Sequence, residues 1–187
     1  MSRGFGWSYS YGMDMSDSVD FCTVDITSRY SEIDPLVEGA VSRMSTISKH
    51  LARAFDQTLA DYGLNHGEYR LLLRLATRSA DNRMSAGDLS RALTLSSGAM
   101  TNRLDRLETA GLIRRVADPR DRRGVLVELT ENGRRQIDAA VTEQAAKEID
   151  SLAVLKPREL STLNDLLRKV LVSLEAVEHD AGQRVGA

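Results

Sequence analysis

The sequence predicts a mainly α-helical protein with a small β-hairpin, and three observations support this fold class. Apolar residues recur at steps of three and four from Leu36 onwards, which is the period of amphipathic helices. Two short predicted helices are separated only by residues 94–96, as in a helix-turn-helix. Val125, Val127 and Leu129 then occupy every second position, which is the period of a β-strand. Together these features predict a winged helix-turn-helix.

The chain on both sides of this unit is predicted to be mostly helical. Residues 1–34 show no sustained period and are expected to form a largely irregular N-terminal arm. Residues 35–62 and 131–180 carry long amphipathic helices, which we expect to form a helical dimerisation platform. Residues 63–130 are the predicted winged helix-turn-helix domain, and residues 181–187 are a C-terminal tail.

Polar residues mark where several helices begin. Asn65 is followed by Glu68 three residues later, which is the pattern of an N-cap with a capping-box carboxylate. Ser85 and Asp88 repeat the pattern before a short helix, and Thr130 precedes a longer one. These signals predict helix starts at residues 66, 86 and 131.

The predicted wing consists of two strands and a polar tip. The strands are expected over residues 112–117 and 125–129. The tip between them, residues 118–124, contains a proline, a glycine and several charged residues, which favour a turn.

The last predicted helix begins at Pro157 and has an apolar row with alternating steps of three and four. Such a row is typical of a coiled-coil seam and predicts a second copy of the chain as its partner. The row could also pack only on helices of its own chain. The candidate dimerisation residues are Leu160, Leu163, Leu167, Val170, Leu174 and Val177.

Composition excludes several classes of protein. The 187 residues include one cysteine, Cys22, and three widely spaced histidines, so no intrachain disulfide and no local metal motif are expected. The sequence has no phosphate-binding glycine loop, dinucleotide fingerprint or nucleophile motif, and we expect neither an enzyme nor a cofactor. It also lacks a long apolar run and a secretory signal pattern, which predicts a cytoplasmic location.

Charge is unevenly distributed along a chain whose net charge is −2. Residues 103–123 contain seven arginines against four acidic residues, whereas residues 1–34 contain six acidic residues against two arginines. A basic segment in an otherwise acidic chain restricts contact with nucleic acid to one face.

In a helix-turn-helix, the second helix lies in the major groove of DNA and its first turns reach the base edges. Met100, Leu104 and Leu107 share the predicted inner face of this helix. Short polar side chains on its outer face can bond to bases, and asparagine can pair with adenine through two hydrogen bonds. The candidate DNA-binding residues of this helix are Ser97, Gly98, Thr101, Asn102, Arg103 and Arg106.

Three motifs resemble the MarR family of bacterial and archaeal transcription regulators. They are LSSGAMTNRLDRLETAGLIRR over residues 95–115, DPRDRR over 118–123 and LTENG over 129–133. The resemblance extends over about residues 36–177 and implies a homodimer whose first and last two helices interlock. It also implies binding to double-stranded DNA, usually as a repressor that releases DNA when a small molecule binds.

The resemblance assigns roles to residues of the wing. Arg120 matches the family's wing-tip arginine, which enters the minor groove, and Asp118 matches the aspartate that braces it. A narrow A·T-rich minor groove has enhanced negative potential, which favours an arginine there. For Arg122 and Arg123 we expect phosphate contact or support of the wing, although Arg122 could equally be a solvated residue.

Within the family, the sequence looks most similar to the urate-responsive subgroup. Arg103 and Arg115 match two of its ligand-linked positions, whereas Arg70 replaces an aspartate and the subgroup's helical tryptophan has no counterpart. Arginine in place of aspartate at position 70 would make the site more positive, which favours a small anionic effector. His50 and Tyr69 could add hydrogen bonds to it. Alternatively, Arg70 could be a surface residue paired with Asp56.

Two other functions remain possible at this point. The chain could be a redox-sensing regulator of the same family through Cys22, although the neighbouring Asp20 and Asp25 disfavour a thiolate. It could also be a helical protein-interaction dimer without a role in DNA binding. That second alternative explains the apolar row of the last helix but not the polar face and the basic wing.

Overall fold

The structure is a computed structural model that describes residues 16–78 and 83–185, and its chain divides into two compact units, Met1–Ala54 and Phe55–Ala187. The described residues form seven helices and three strands. In chain order these are α1 (Ser18–Arg29), α2 (Pro35–Asp61), α3 (His66–Arg78), β1 (Arg83–Ser85), α4 (Ala86–Leu93), α5 (Ser97–Thr109), β2 (Ile113–Asp118), β3 (Asp121–Leu129), α6 (Glu131–Leu152) and α7 (Pro157–Val185). None of the described helices combines the length and the apolar character that a membrane span requires.

The first unit contains α1, a helix where the sequence predicted an irregular arm. Asp17 caps it by accepting hydrogen bonds from the backbone N–H groups of Val19 and Asp20. Arg43 of α2 donates from Nε to Asp17 at 2.8 Å and also pairs with Asp20. The Arg43 guanidinium lowers the pKa of Asp17. The predicted irregular arm over 1–34 is therefore wrong for residues 18–29, while residues 1–15 lie outside the described part.

The second unit has a core built mainly from leucines of several elements. Leu71, Leu72 and Leu75 form one buried face of α3. Leu89 of α4 and Ile137 of α6 are also fully buried in the same cluster. This core fixes α3, α4, α5, the strands and the start of α6 as one winged helix-turn-helix unit.

The predicted helix starts of this unit are confirmed by their caps. Asn65 Oδ1 accepts from the backbone N–H of Glu68 at 3.0 Å, and Glu68 Oε2 accepts from the N–H of Asn65 at 3.0 Å. The hydroxyls of Ser85, Ser96 and Thr130 cap α4, α5 and α6 in the same manner. The helix boundaries therefore follow from local hydrogen bonding.

The strands form an antiparallel sheet in the order β1-β3-β2. β1 was not predicted, and β3 begins at Asp121 rather than at Val125, so the tip is shorter than the predicted residues 118–124. Glu128 of β3 joins the sheet's edges by pairing with Arg83 at 3.0 Å and with Arg114 at 2.9 Å. The Arg114 guanidinium lowers the pKa of Glu128.

The start of α6 packs directly against the start of the wing. Gly133 is buried in the first turn of α6, and an added Cβ would overlap the carbonyl oxygen of Leu112. The same carbonyl accepts a hydrogen bond from the backbone N–H of Thr130 at 3.1 Å. Only a glycine allows this close approach, so Gly133 fixes how the wing joins α6.

Candidate nucleic-acid interface

α5 presents one buried face and one exposed polar face. Met100, Leu104 and Leu107 are buried against the core, as predicted. The exposed residues of its first turns are Ser97, Gly98, Thr101 and Asn102, which agrees with their predicted outward orientation.

The exposed polar groups of α5 differ in how free they are. The Thr101 hydroxyl donates to the backbone carbonyl of Ser97 at 3.0 Å, so its proton is already used. Among the described residues, the Asn102 side chain has no hydrogen-bonding partner. An added Cβ at Gly98 would meet no atom within 4 Å. The first turns of α5 thus offer one amide without a hydrogen-bonding partner and open space beside Gly98.

The two arginines of α5 contact α3, which the sequence did not predict. Arg103 is half-buried, and its guanidinium lies where a Cβ of Gly67 would be. Arg106 is more exposed, and its Nε lies 3.1 Å from Oε1 of Glu68. Both side chains therefore contact the first turn of α3. Sequence analysis missed these partners because they are more than thirty positions away along the chain.

The wing tip is stabilised by an aspartate. Asp118 Oδ1 accepts a hydrogen bond from the backbone N–H of Arg120 at 2.8 Å, which is typical of an Asx-turn. Arg120 is exposed at this turn. The backbones of Arg122 and Arg123 belong to β3, but their side chains lie outside the described part of the structure.

Arg115 is engaged with α5. Its Nη2 lies 2.6 Å from Asp105, Nη1 pairs with Glu108, and its backbone N–H donates to Glu108 at 3.0 Å. Asp105, aided by Glu108, raises the pKa of Arg115. These ion pairs attach β2 to α5 and occupy the guanidinium that the sequence assigned to a ligand.

A cavity of about 200 Å³ lies between α3 and the helix-turn-helix. Arg70, which the sequence assigned to a ligand, lies in its lining, and Arg115 and Tyr69 do not. Among the described residues, the alternative ion pair between Arg70 and Asp56 is not formed. Asp56 Oδ1 lies 2.9 Å from Nε2 of His66 instead. The lining residues are His66, Gly67, Arg70, Leu93, Leu95 and Arg103.

The other predicted ligand residues have different surroundings. Tyr69 is half-buried, and its ring packs edge-on against Phe55 with centroids 5.0 Å apart. Burial, with a smaller effect from Glu148, raises the pKa of Tyr69. His50 is an exposed residue of α2, and Cys22 is an exposed free thiol of α1.

The apolar row of α7 lies at the surface of the chain. Of its six predicted members, only Leu163 is half-buried, and the others are exposed. Such a continuous exposed apolar row is unusual for a monomeric protein and marks an interaction surface.

Comparison with known proteins places this arrangement in a family. The model of the MarR family matches residues 64–125. The HTH-type transcriptional regulator PecS of Dickeya dadantii is 35% identical over 140 residues, which are 74% of this chain and 82% of that protein. The multiple antibiotic resistance protein MarR of Escherichia coli is 29% identical over 76% of this chain and 94% of that protein.

Solved structures give the same result. Wild-type apo MarR from Escherichia coli has a TM-score of 0.56 and 29% identity, covering 75% of this chain and 99% of that chain. AbsC, a MarR family regulator from Streptomyces coelicolor, has a TM-score of 0.58 and 26% identity over 75% and 95% of the two chains. These similarities confirm the predicted fold class and a regulator rather than an enzyme. The chain belongs to the MarR family of winged-helix transcriptional regulators.

Proposed function

We propose that this regulator binds a pseudo-palindromic DNA operator as a homodimer and represses transcription in the cytoplasm of a prokaryotic cell. The observation that carries the proposal is the exposed polar face of α5 together with an exposed arginine at the wing tip. A MepR mutant of Staphylococcus aureus has been solved bound to an oligodeoxyribonucleotide, which fits this proposal for a related fold.

α5 would occupy the major groove, whose width admits one helix. Its polar residues Ser97, Thr101 and Asn102 would then face the base edges. Asn102 is the best candidate for direct readout, because its amide is unengaged among the described residues and can pair with adenine at two positions.

The wing would contact the neighbouring minor groove. The turn fixed by Asp118 exposes Arg120, and the negative potential of a narrow A·T-rich groove would attract its guanidinium. Arg122 and Arg123 would add phosphate contacts, which position a protein on DNA without reading its sequence.

The exposed row of α7 supports the homodimer. Burying it against a second copy would remove apolar surface from water and place two α5 helices on one duplex. Successive major-groove half-sites on one face are about 34–36 Å apart, so the operator should be an imperfect palindrome.

Replacing Gly98 with alanine tests whether α5 enters a groove. The structure has room for this Cβ, and alanine favours the helix by up to about 1 kcal/mol, so the free energy of unfolding should not fall. If Gly98 lies against DNA, the methyl group should lower affinity about tenfold by overpacking the contact. Fluorescence anisotropy measures the affinity for DNA, and urea unfolding measures the free energy of unfolding.

Gly87→Ala is the matched control, because Gly87 is also exposed and is also the second residue of its helix, α4. This control should bind DNA like the wild type. Wild-type affinity for Gly98→Ala would contradict the placement of α5 in the groove.

We further propose that a small anionic effector binds the cavity lined by His66, Arg70 and Arg103. The cavity's volume of about 200 Å³ suits a small metabolite, and arginine can bind a carboxylate through two parallel hydrogen bonds. The effector would act by preferring a dimer whose two α5 helices have the wrong separation for the operator.

Arg70→Ala should raise the effector concentration needed to release DNA by about tenfold or more, because a charge-assisted hydrogen bond is lost. Urate, an aromatic acid, a phenolic acid and citrate would be titrated against the protein–DNA complex. Arg168→Ala, on α7, serves as the control for loss of one positive charge. If every active compound releases the Arg70→Ala variant from DNA at the same concentration as the wild type, the effector binds elsewhere.

A further inference from the structure

The first turn of α3 carries a buried carboxylate that contacts α5. Glu68 is only 3% exposed, although a carboxylate removed from water is costly unless it is paired. Its two oxygens have separate partners. Oε2 accepts from the backbone N–H of Asn65 at 3.0 Å, and Oε1 lies 3.1 Å from Nε of Arg106.

Arg106 pairs with Glu68 but remains largely exposed. Its side chain is 69% exposed, although its Nε forms an ion pair with Glu68. Among the described residues, Arg106 has no acidic partner other than Glu68. Because the guanidinium is planar and rigid, an ion pair at Nε also restricts the directions in which the two Nη groups can point.

A second contact supports the same arrangement. Arg103, one helical turn before Arg106, places its guanidinium over Gly67, where any side chain would overlap it. The first turn of α3 therefore receives both arginines of α5 side by side. These two contacts join one side of α5 to the first turn of α3.

We propose that Glu68 is a positioning residue that orients Arg106 so that its Nη groups bind a phosphate of the operator. The inference rests on the proposed DNA binding and adds a residue that does not itself touch DNA. A phosphate accepts two parallel N–H bonds from an arginine, which makes the orientation of the guanidinium important. Losing that orientation should weaken binding even when the charge of Arg106 remains.

A double-mutant cycle with Glu68→Gln and Arg106→Ala tests the proposal in the full chain. The DNA is the duplex that the wild-type protein selects from a randomised library. Glutamine can still accept the Asn65 N–H, so the cap of α3 should survive. We expect about fivefold weaker binding for Glu68→Gln and no additional loss when it is combined with Arg106→Ala. Arg106→Ala alone should also reduce the slope of log affinity against log salt by about one.

Glu131→Gln is the matched control, because Glu131 also lies in the first turn of a helix and pairs with Arg135 at 2.7 Å. It should leave affinity unchanged. If the Glu68→Gln variant does not fold, Arg106→Lys is tested in its place. Lysine keeps the positive charge but cannot form the two parallel hydrogen bonds of a guanidinium. Its affinity for DNA should therefore fall about fivefold, with an unchanged salt slope.

Additive losses in the cycle, or wild-type affinity for Arg106→Lys, would overturn the role of Glu68 while leaving DNA binding intact. Failure of the wild type to select any duplex would instead overturn the proposed function, and this inference with it.

Discussion

Replacing Leu167 and Leu174 together with glutamate should abolish operator binding. Both residues are exposed members of the α7 row, and the proposed dimer buries that row. Four charges placed in a symmetric apolar interface would have to be desolvated without partners, a cost of several kcal/mol for each ion. We therefore expect monomers by light scattering and no footprint on a palindromic operator.

Val172→Glu is a suitable control for this change. Val172 is also an exposed apolar residue of α7, but it lies on the opposite side of the helix from the row. The Val172→Glu variant should remain dimeric and bind DNA. A folded monomeric Leu167→Glu/Leu174→Glu variant with full affinity for a palindrome would show that the row has no role in binding.

Much of the fold could be predicted because its signals are local. The cap formed by Asn65 and Glu68 lies within four residues, and the buried face of α5 follows from a single helical period. The turn at Asp118 likewise depends on a bond to a residue two positions away. Such features depend little on the rest of the chain.

Features that depend on distant partners were missed. β1 has only three residues and exists because it pairs with β3 more than forty positions later. Gly133 gave no sign that its missing side chain makes room for Leu112. α1 was missed for another reason, since its apolar residues Phe21 and Val24 remain exposed and gave no clear helical stripe.

The candidate site likewise contains features that follow from local sequence and features that depend on distant partners. The exposure of Asn102 and Gly98 follows from the helical period, and the structure agrees with it. The positions of arginine side chains do not follow from a period, because a long flexible side chain goes to whichever acid lies within reach. Arg115 accordingly pairs with Asp105, and His66 rather than Arg70 takes Asp56.

The proposed reading of DNA by α5 and the wing predicts two defects of different kinds. Asn102→Ala removes a base contact, so it should relax sequence preference at one position in each half-site. Arg120→Ala removes a minor-groove contact, so it should weaken binding by about 1–3 kcal/mol. Its remaining preference in the major groove should be unchanged, because α5 is intact.

The most direct test is to select binding sites from a randomised duplex library with the wild type, Asn102→Ala and Arg120→Ala, and to measure the affinities of the selected duplexes. The wild type should select an imperfect palindrome with half-sites about 34–36 Å apart. Asn102→Ala should lose preference at one symmetric pair of positions, and Arg120→Ala should bind more weakly throughout. A wild-type site without symmetry, or unchanged preference for Asn102→Ala together with unchanged affinity for Arg120→Ala, would contradict the proposed DNA-reading surface.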